Sequence, residues 1–252
     1  MCKIHLGRCY ILRKIICASL LVLTLAGISF ADPVDDLLAY YVGQFGIEKG
    51  EIFVDALPDN TGHFNDIYMN LTGLMIEGFR VNGITVRMRD VQFNEPSEWA
   101  KGNVECKSAI SIQSVANINE DDVNKAIKDR TFGDDSSEWH DMSMKIKPSG
   151  LSGRGYYRFG ILDILIEATS NFKIVKGKEI WLKDPQVKIN KMDLPDYVTK
   201  KALSDIQPIL DLNRFPLPMT LHKVELRDGA AVLSTRTLPQ PVENGLKYSY
   251  EK

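Results

Sequence analysis

Residues 187–226, VKINKMDLPDYVTKKALSDIQPILDLNRFPLPMTLHKVEL, read as a strand, an amphipathic helix and a return strand, and the rest of the chain is organised around that unit. Val187 and Ile189 alternate with Lys188 and Asn190, the period of a half-exposed strand. Pro195 suits a first helical position, where its missing N–H costs nothing, and Asp193 and Asp196 place negative charge at the positive end of the helix. Val198, Ala202, Ile206 and Ile209, with Leu203 and Leu210 beside them, form one apolar stripe that leaves Lys200, Lys201 and Asp205 outside. Pro208 ends or kinks the helix near Gln207, and the FPLP run from Phe215 to Pro218 carries the chain back extended. Asp228-Gly229 then signals a two-residue hairpin whose register pairs Leu226 with Ala231 and Val224 with Leu233.

This order of residues resembles the LmeA-like family of bacterial envelope phospholipid-binding proteins. The features that carry it are Val-x-Ile-Asn at 187–190, Leu194-Pro195, the helix, Leu210-Asp211-Leu212, the FPLP return and Leu-Arg-Asp-Gly at 226–229. The resemblance is sharpest over Val187 to Leu233 and extends more weakly to Gly50. It implies an α+β fold related to the tubular lipid-binding superfold: an elongated, curved, mostly antiparallel β-sheet wrapped around one or two amphipathic helices, with a lipid-sized groove.

Residues 1–31 read as a secretory signal. Lys3, Arg8, Arg13 and Lys14 stand without any acid, Ile15 to Leu25 is an apolar run, and Ser29-Phe30-Ala31 is a small-x-small cleavage site. The core is shorter than the roughly 20 residues of a spanning helix, an uncleaved anchor being the alternative. Cleavage leaves a single domain, 32–252, exported to the periplasm or envelope, with Cys106 its only cysteine and no internal disulfide. Val104, Ile110 and Ile112 share the parity of Cys106, which reads as an apolar strand residue. Of 31 Lys and Arg, four lie in the leader, so 27 face 33 Asp and Glu, a formal −6 that argues against nucleic acid and against a polybasic anchor. Lys173 to Lys201 nevertheless holds eight lysines against four acids, either a solvated sheet face or a surface for anionic head groups and peripheral membrane contact.

Val34, Leu37, Leu38, Tyr41 and Phe45 place a helix over 32–45, closed by Gly46. Such a helix is ordinarily core; the resemblance implies one inside the curve of the sheet, which makes Leu38, Tyr41 and Phe45 groove candidates. Val81-Asn82-Gly83-Ile84 signals a hairpin that pairs Val81 with Ile84 and Phe79 with Val86, leaving Arg80, Arg87 and Arg89 on the other face as solvated residues or head-group candidates. Asp90 breaks the alternation between Met88 and Val91, predicting a bulge. A further strand is expected over 104–115 and a short helix over 119–129; strands followed by a helix in each part suggest a weak internal duplication. Residues 131–141 read as a solvated loop, because Asp134, Asp135, Glu138, His140 and Asp141 lack an ordered ligand spacing and call for no metal. SGLSGRG at 149–155 reads as a turn. Further strands are expected at Met142 to Ile146, Phe159 to Ala168, Phe172 to Val175, Ile180 to Leu182 and Val187 to Ile189. In GILDILIEA, Ile161 and Leu165 fall on one face and Leu162, Ile164 and Ile166 on the other, so both faces require cover, and Phe159, Ile161 and Leu165 join the groove candidates.

No catalytic or nucleotide motif is present, His63, His140 and His222 stand far apart in sequence, and no cofactor is called for. The favoured function is a non-catalytic phospholipid-binding protein of the envelope that holds an acyl chain in an apolar groove, for lipid transfer or envelope maintenance. The alternatives are an envelope scaffold with no lipid ligand and a hydrolase with a dispersed site. Neither the lipid nor any protein partner is specified.

Overall fold

The structure, a computed structural model, describes residues 32–76, 78–128, 132–134, 137–189, 196–214 and 219–252. The predicted signal segment, the helix entry at 190–195, Asp135 and the FPLP return therefore lie outside the described residues. The architecture is α+β, a mostly antiparallel sheet curled into a half-barrel with a few helices.

Helix α1 (Pro33–Phe45) follows the predicted pattern, with Asp35 and Asp36 in its first turn and Val34, Leu37, Leu38, Tyr41 and Phe45 buried. It is followed by β1 (Lys49–Val54), β2 (His63–Ile76), β3 (Phe79–Phe93) and β4 (Cys106–Asn119). With β11 (Lys223–Arg227), β12 (Ala230–Ser234) and β13 (Leu246–Glu251) these form a seven-stranded sheet in the order β11-β12-β4-β3-β2-β1-β13. The Asp228-Gly229 hairpin has the predicted register, with Val224 opposite Leu233 and Leu226 opposite Ala231.

Asn82-Gly83 is not a turn. It lies inside β3, whose partner is β2, with Val81 opposite Leu74 and Ile84 opposite Leu71. Val81 and Ile84 are both buried because the strand pair changes face between them, a change mirrored in β2 between Leu71 and Leu74. Gly73, at φ +72°, makes the reversal possible in β2; a Cβ there would also meet the Glu48 side chain at 2.3 Å. Asp90, at φ +49°, marks a second face change that buries both Met88 and Val91, but it is not the predicted bulge: the registers with β2 and β4 run unbroken past it, and the shift in this strand falls at Gln92-Phe93. Ile110 turns outward at 80% exposure instead of sharing the buried parity of its strand. Cys106 is partly buried, and desolvation pushes its thiol up to about 11, so the thiolate is scarce at neutral pH.

The second sheet is built from β5 (Phe132–Asp134), β6 (Ser137–Lys147), β7 (Gly150–Phe159), β8 (Leu162–Val175), β9 (Glu179–Ile189) and β10 (Leu210–Asp211), in the order β10-β9-β8-β7-β6-β5. Three expectations change here. In place of the solvated loop expected at 131–141, residues 132–134 form β5 and 137–141 open β6, where Glu138 pairs with Arg158 of β7. SGLSGRG opens β7 rather than forming a turn. The pieces expected at 159–168 and 172–175 become β8 after a turn at Gly160-Ile161, and those at 180–182 and 187–189 become β9, which accommodates Pro185 beside Asp184 at φ +50° where the register shifts.

Helix α2 (Glu120–Lys128) covers the edge of β6 that β5 leaves unpaired. Asn124 completes that edge like a short strand, its amide donating to Met144 O at 2.9 Å and its carbonyl accepting from Met144 N at 2.7 Å, while Glu120 accepts from Ile146 N at 2.8 Å. Gly229 N donates to Ile146 O at 3.0 Å, so the β11–β12 turn joins the two sheets at this seam. Helix α3 (Asp196–Asp205) buries Val198 and Ala202 against the second sheet. After it the chain pairs briefly with β9 as β10, then crosses to the first sheet as β11. The first strand and the return strand of the 187–226 unit thus lie in different sheets, and the unit is the connection between them.

Candidate lipid-binding cavity

Three neighbouring apolar chambers that share lining residues lie between the two sheets and beside α2 and α3. The first, about 190 Å³, has Val123 and Ile127 of α2 on one side, Leu203 and Ile206 of α3 on another, and Met144, Leu151, Ile166 and Ala168 of the sheet as its floor. The second, about 250 Å³, continues toward the first sheet beneath Val81, Ile84, Ala116 and Leu233. A third space of about 60 Å³ lies beside them, and Phe79 and Ile209 line all three. The two larger chambers together reach the lower end of the roughly 300–1,000 Å³ typical of small-molecule sites.

Local sequence explains the opening. Gly153, Ala168 and Ser170 line its floor with little side-chain bulk, while Met142 and Met144 bring flexible thioethers. One end is closed by Trp139, Tyr157 and Ile164, all buried. Trp139 lies flat across β7 because Gly155 has no side chain; a Cβ there would stand 3.0 Å from the indole and 2.9 Å from Met142. Asp205, read as outside the apolar stripe, accepts a hydrogen bond from the Tyr157 hydroxyl at 2.8 Å and lines the first chamber with Gln207. Lys201 bridges Asp134 at 3.0 Å and Asp205 at 3.4 Å, which raises its ammonium pKa chiefly through the Asp134 hydrogen bond.

The six groove candidates are not brought together, and none lines these chambers. Leu38, Tyr41 and Phe45 are filled core of the first sheet, the rings of Tyr41 and Phe45 stacked at 5.9 Å. Phe159 packs at the hairpin end against Tyr197, centroids 6.2 Å apart. Ile161 projects from the turn, fully exposed, and Leu165 lies on the outer face opposite Tyr156. The two-sided pattern of β8 was legible, but the inner face is that of Ile164 and Ile166. The cavity residues Phe79, Met144, Leu151 and Ile209 went unread as a group because they converge from four separate elements.

The three arginines share the outer face of β3 but form two sites, both holding carboxylates. Arg80 grips both oxygens of Glu48 at 2.8 and 2.9 Å and reaches Asp122 at 3.1 Å. Arg87 forks onto Asp66 at 2.9 and 2.6 Å, with Arg89 3.5 Å from the same carboxylate. Head-group binding at either site therefore requires displacing a carboxylate. Among the described residues no group of three His, Cys, Asp or Glu side chains converges as metal ligands, and no helix is long and apolar enough to cross a membrane.

The fold is thus a curled antiparallel sheet with apolar chambers beside amphipathic helices. Residues 60–236 match the LmeA-like phospholipid-binding family, and the chain belongs to it. A lipid is accordingly its partner. No curated protein and no solved structure matches the chain.

Proposed function

We propose that the protein holds an acyl chain of a phospholipid in the chambers that meet at Phe79 and Ile209, and that it works as an exported component of the bacterial cell envelope without catalysis. The observation that carries this reading is a set of apolar chambers sharing Phe79 and Ile209, the first bounded by Met144, Leu151, Ile166 and Ile206, in a member of a phospholipid-binding family. A buried methylene is worth about 0.8 kcal/mol, so a 16-carbon chain leaves a bilayer at a cost on the order of 12 kcal/mol unless such a space replaces it. The basic and apolar leader ending at Ala31 supports export. With no nucleotide motif, transfer between membranes is passive exchange or handover.

The filled core under α1 favours a structural role for the first sheet, in keeping with the scaffold reading for that half alone. Native mass spectrometry of the purified protein followed by organic extraction tests the proposal. A phospholipid retained at about one per chain supports it; folded protein that carries none and takes none from liposomes overturns it.

A further inference from the structure

The β7–β8 hairpin ends in an apolar tip that the cavity does not use. Gly160, at φ +62°, turns the chain so that Ile161 is fully exposed, and Leu162 is 40% exposed beside it. Tyr197 at the start of α3, 60% exposed, packs against Phe159, and Tyr156 lies on the outer face nearby. Immediately behind the tip stands a collar of mutually paired charges. Arg158 meets Glu138 at 2.5 Å, and His140 lies between Asp163 at 2.9 Å and Asp141 at 3.1 Å while stacking on Tyr156.

We propose that this tip inserts into the interfacial layer of a phospholipid bilayer, with Ile161 and Leu162 entering the acyl region and Tyr156 and Tyr197 at head-group level. The proposal rests on the phospholipid-binding reading, since a protein that loads such a lipid must meet the membrane that stores it. Three features favour a bilayer over a protein partner. The apolar side chains ride on a convex hairpin end rather than in a groove. They offer roughly 500 Å² at most, counting an aromatic at about 150–250 Å², below the ~800 Å² per partner of a standard protein interface. Tyrosines flanking an aliphatic apex also match the preference of aromatic rings for the membrane interface. The collar carries the acids Glu138, Asp141 and Asp163 against Arg158 and His140, so attraction to anionic lipid is not what holds the tip; insertion is apolar.

The test pairs two measurements on the full chain and on an Ile161→Asp, Leu162→Asp double variant. Flotation with phosphatidylcholine vesicles at low and high salt reads membrane docking. Native mass spectrometry after incubation with a short-chain phosphatidylcholine below its micelle concentration reads cavity loading. The expected result is wild-type flotation that changes little with salt, a fall of about tenfold or more in the variant's partitioning, and equal loading of both proteins. Equal flotation of both proteins overturns the tip proposal. So does a wild type that loads lipid yet does not float, or one that forms a dimer lost in the variant, which assigns the tip to a second copy. A wild type that neither floats nor loads lipid overturns the tip proposal and the reading beneath it together.

Discussion

Trp139 Nε1 donates a hydrogen bond to the carbonyl oxygen of Ala202 at 2.9 Å, so the indole that closes one end of the cavity also fixes α3 on the sheet. Ala202 is among the last four residues of α3, whose carbonyls have no partner within the helix, and Trp139 satisfies one of them inside the core. The same contact sets the height of Leu203 and Ile206 above the cavity floor.

Ala202→Asp places a carboxylate at a fully buried position against Trp139 and is expected to lower stability by about 3 kcal/mol or more. Lys200→Asp, on the exposed side of the same helix, is expected to leave the thermal midpoint nearly unchanged. Equal midpoints for the two variants in thermal melts would contradict the docking of α3.

Arg80 joins α2 to β3 by neutralising Asp122, whose side chain is 7% exposed. Arg80→Ala strands that carboxylate and is expected to cost about 2–3 kcal/mol in urea unfolding, while the double variant Arg80→Ala, Asp122→Asn recovers part of the loss. Absence of any recovery would show that the pair is not coupled.

The hydrogen bond to Asp163, helped by Asp141, raises the pKa of His140 above the ordinary histidine value of about 6.5. A folded-state pKa raised in this way contributes stability that is fully present below the unfolded value and is lost as pH rises through the folded one. The difference in thermal midpoint between wild type and His140→Asn is therefore expected to be larger at pH 5.5 than at pH 8.5. An equal or reversed difference would contradict the pairing.

Ala168→Leu adds hydrocarbon to the floor of the first chamber, where there is space to receive it. The expected outcome is lower phospholipid occupancy by native mass spectrometry with an unchanged or raised melting temperature. Unchanged occupancy would move the acyl chain elsewhere.

Local chemistry made part of the fold legible from the residues. The Asp228-Gly229 register, the buried stripe of α1 and the inward Val123, Ala126 and Ile127 of α2 each follow from neighbours close in sequence. Asn82-Gly83 misled because apolar residues flanking a turn dipeptide look the same as a strand that changes face; only the distant partners Leu71 and Leu74, with Gly73 between them, separate the two. The division into two sheets was hidden for a related reason. The β11–β12 hairpin could be read locally, but nothing near it shows that β12 pairs with β4 of the first sheet rather than joining β9. For the cavity, the alternation in β8 showed two apolar faces but not which one was enclosed, since that depends on Trp139 and α3 arriving from elsewhere.

The most direct test of the central claim uses a phospholipid carrying a photoactivatable diazirine near the end of its acyl chain, loaded into the purified protein and crosslinked, with labelled peptides identified by mass spectrometry. Label on the segments holding Met144 and Leu151 or Ile206 and Ile209, absent from Leu38 to Phe45, is the result predicted. Label concentrated on Leu38, Tyr41 and Phe45, or crosslinking undiminished in Ala168→Leu, would contradict an acyl chain in this cavity.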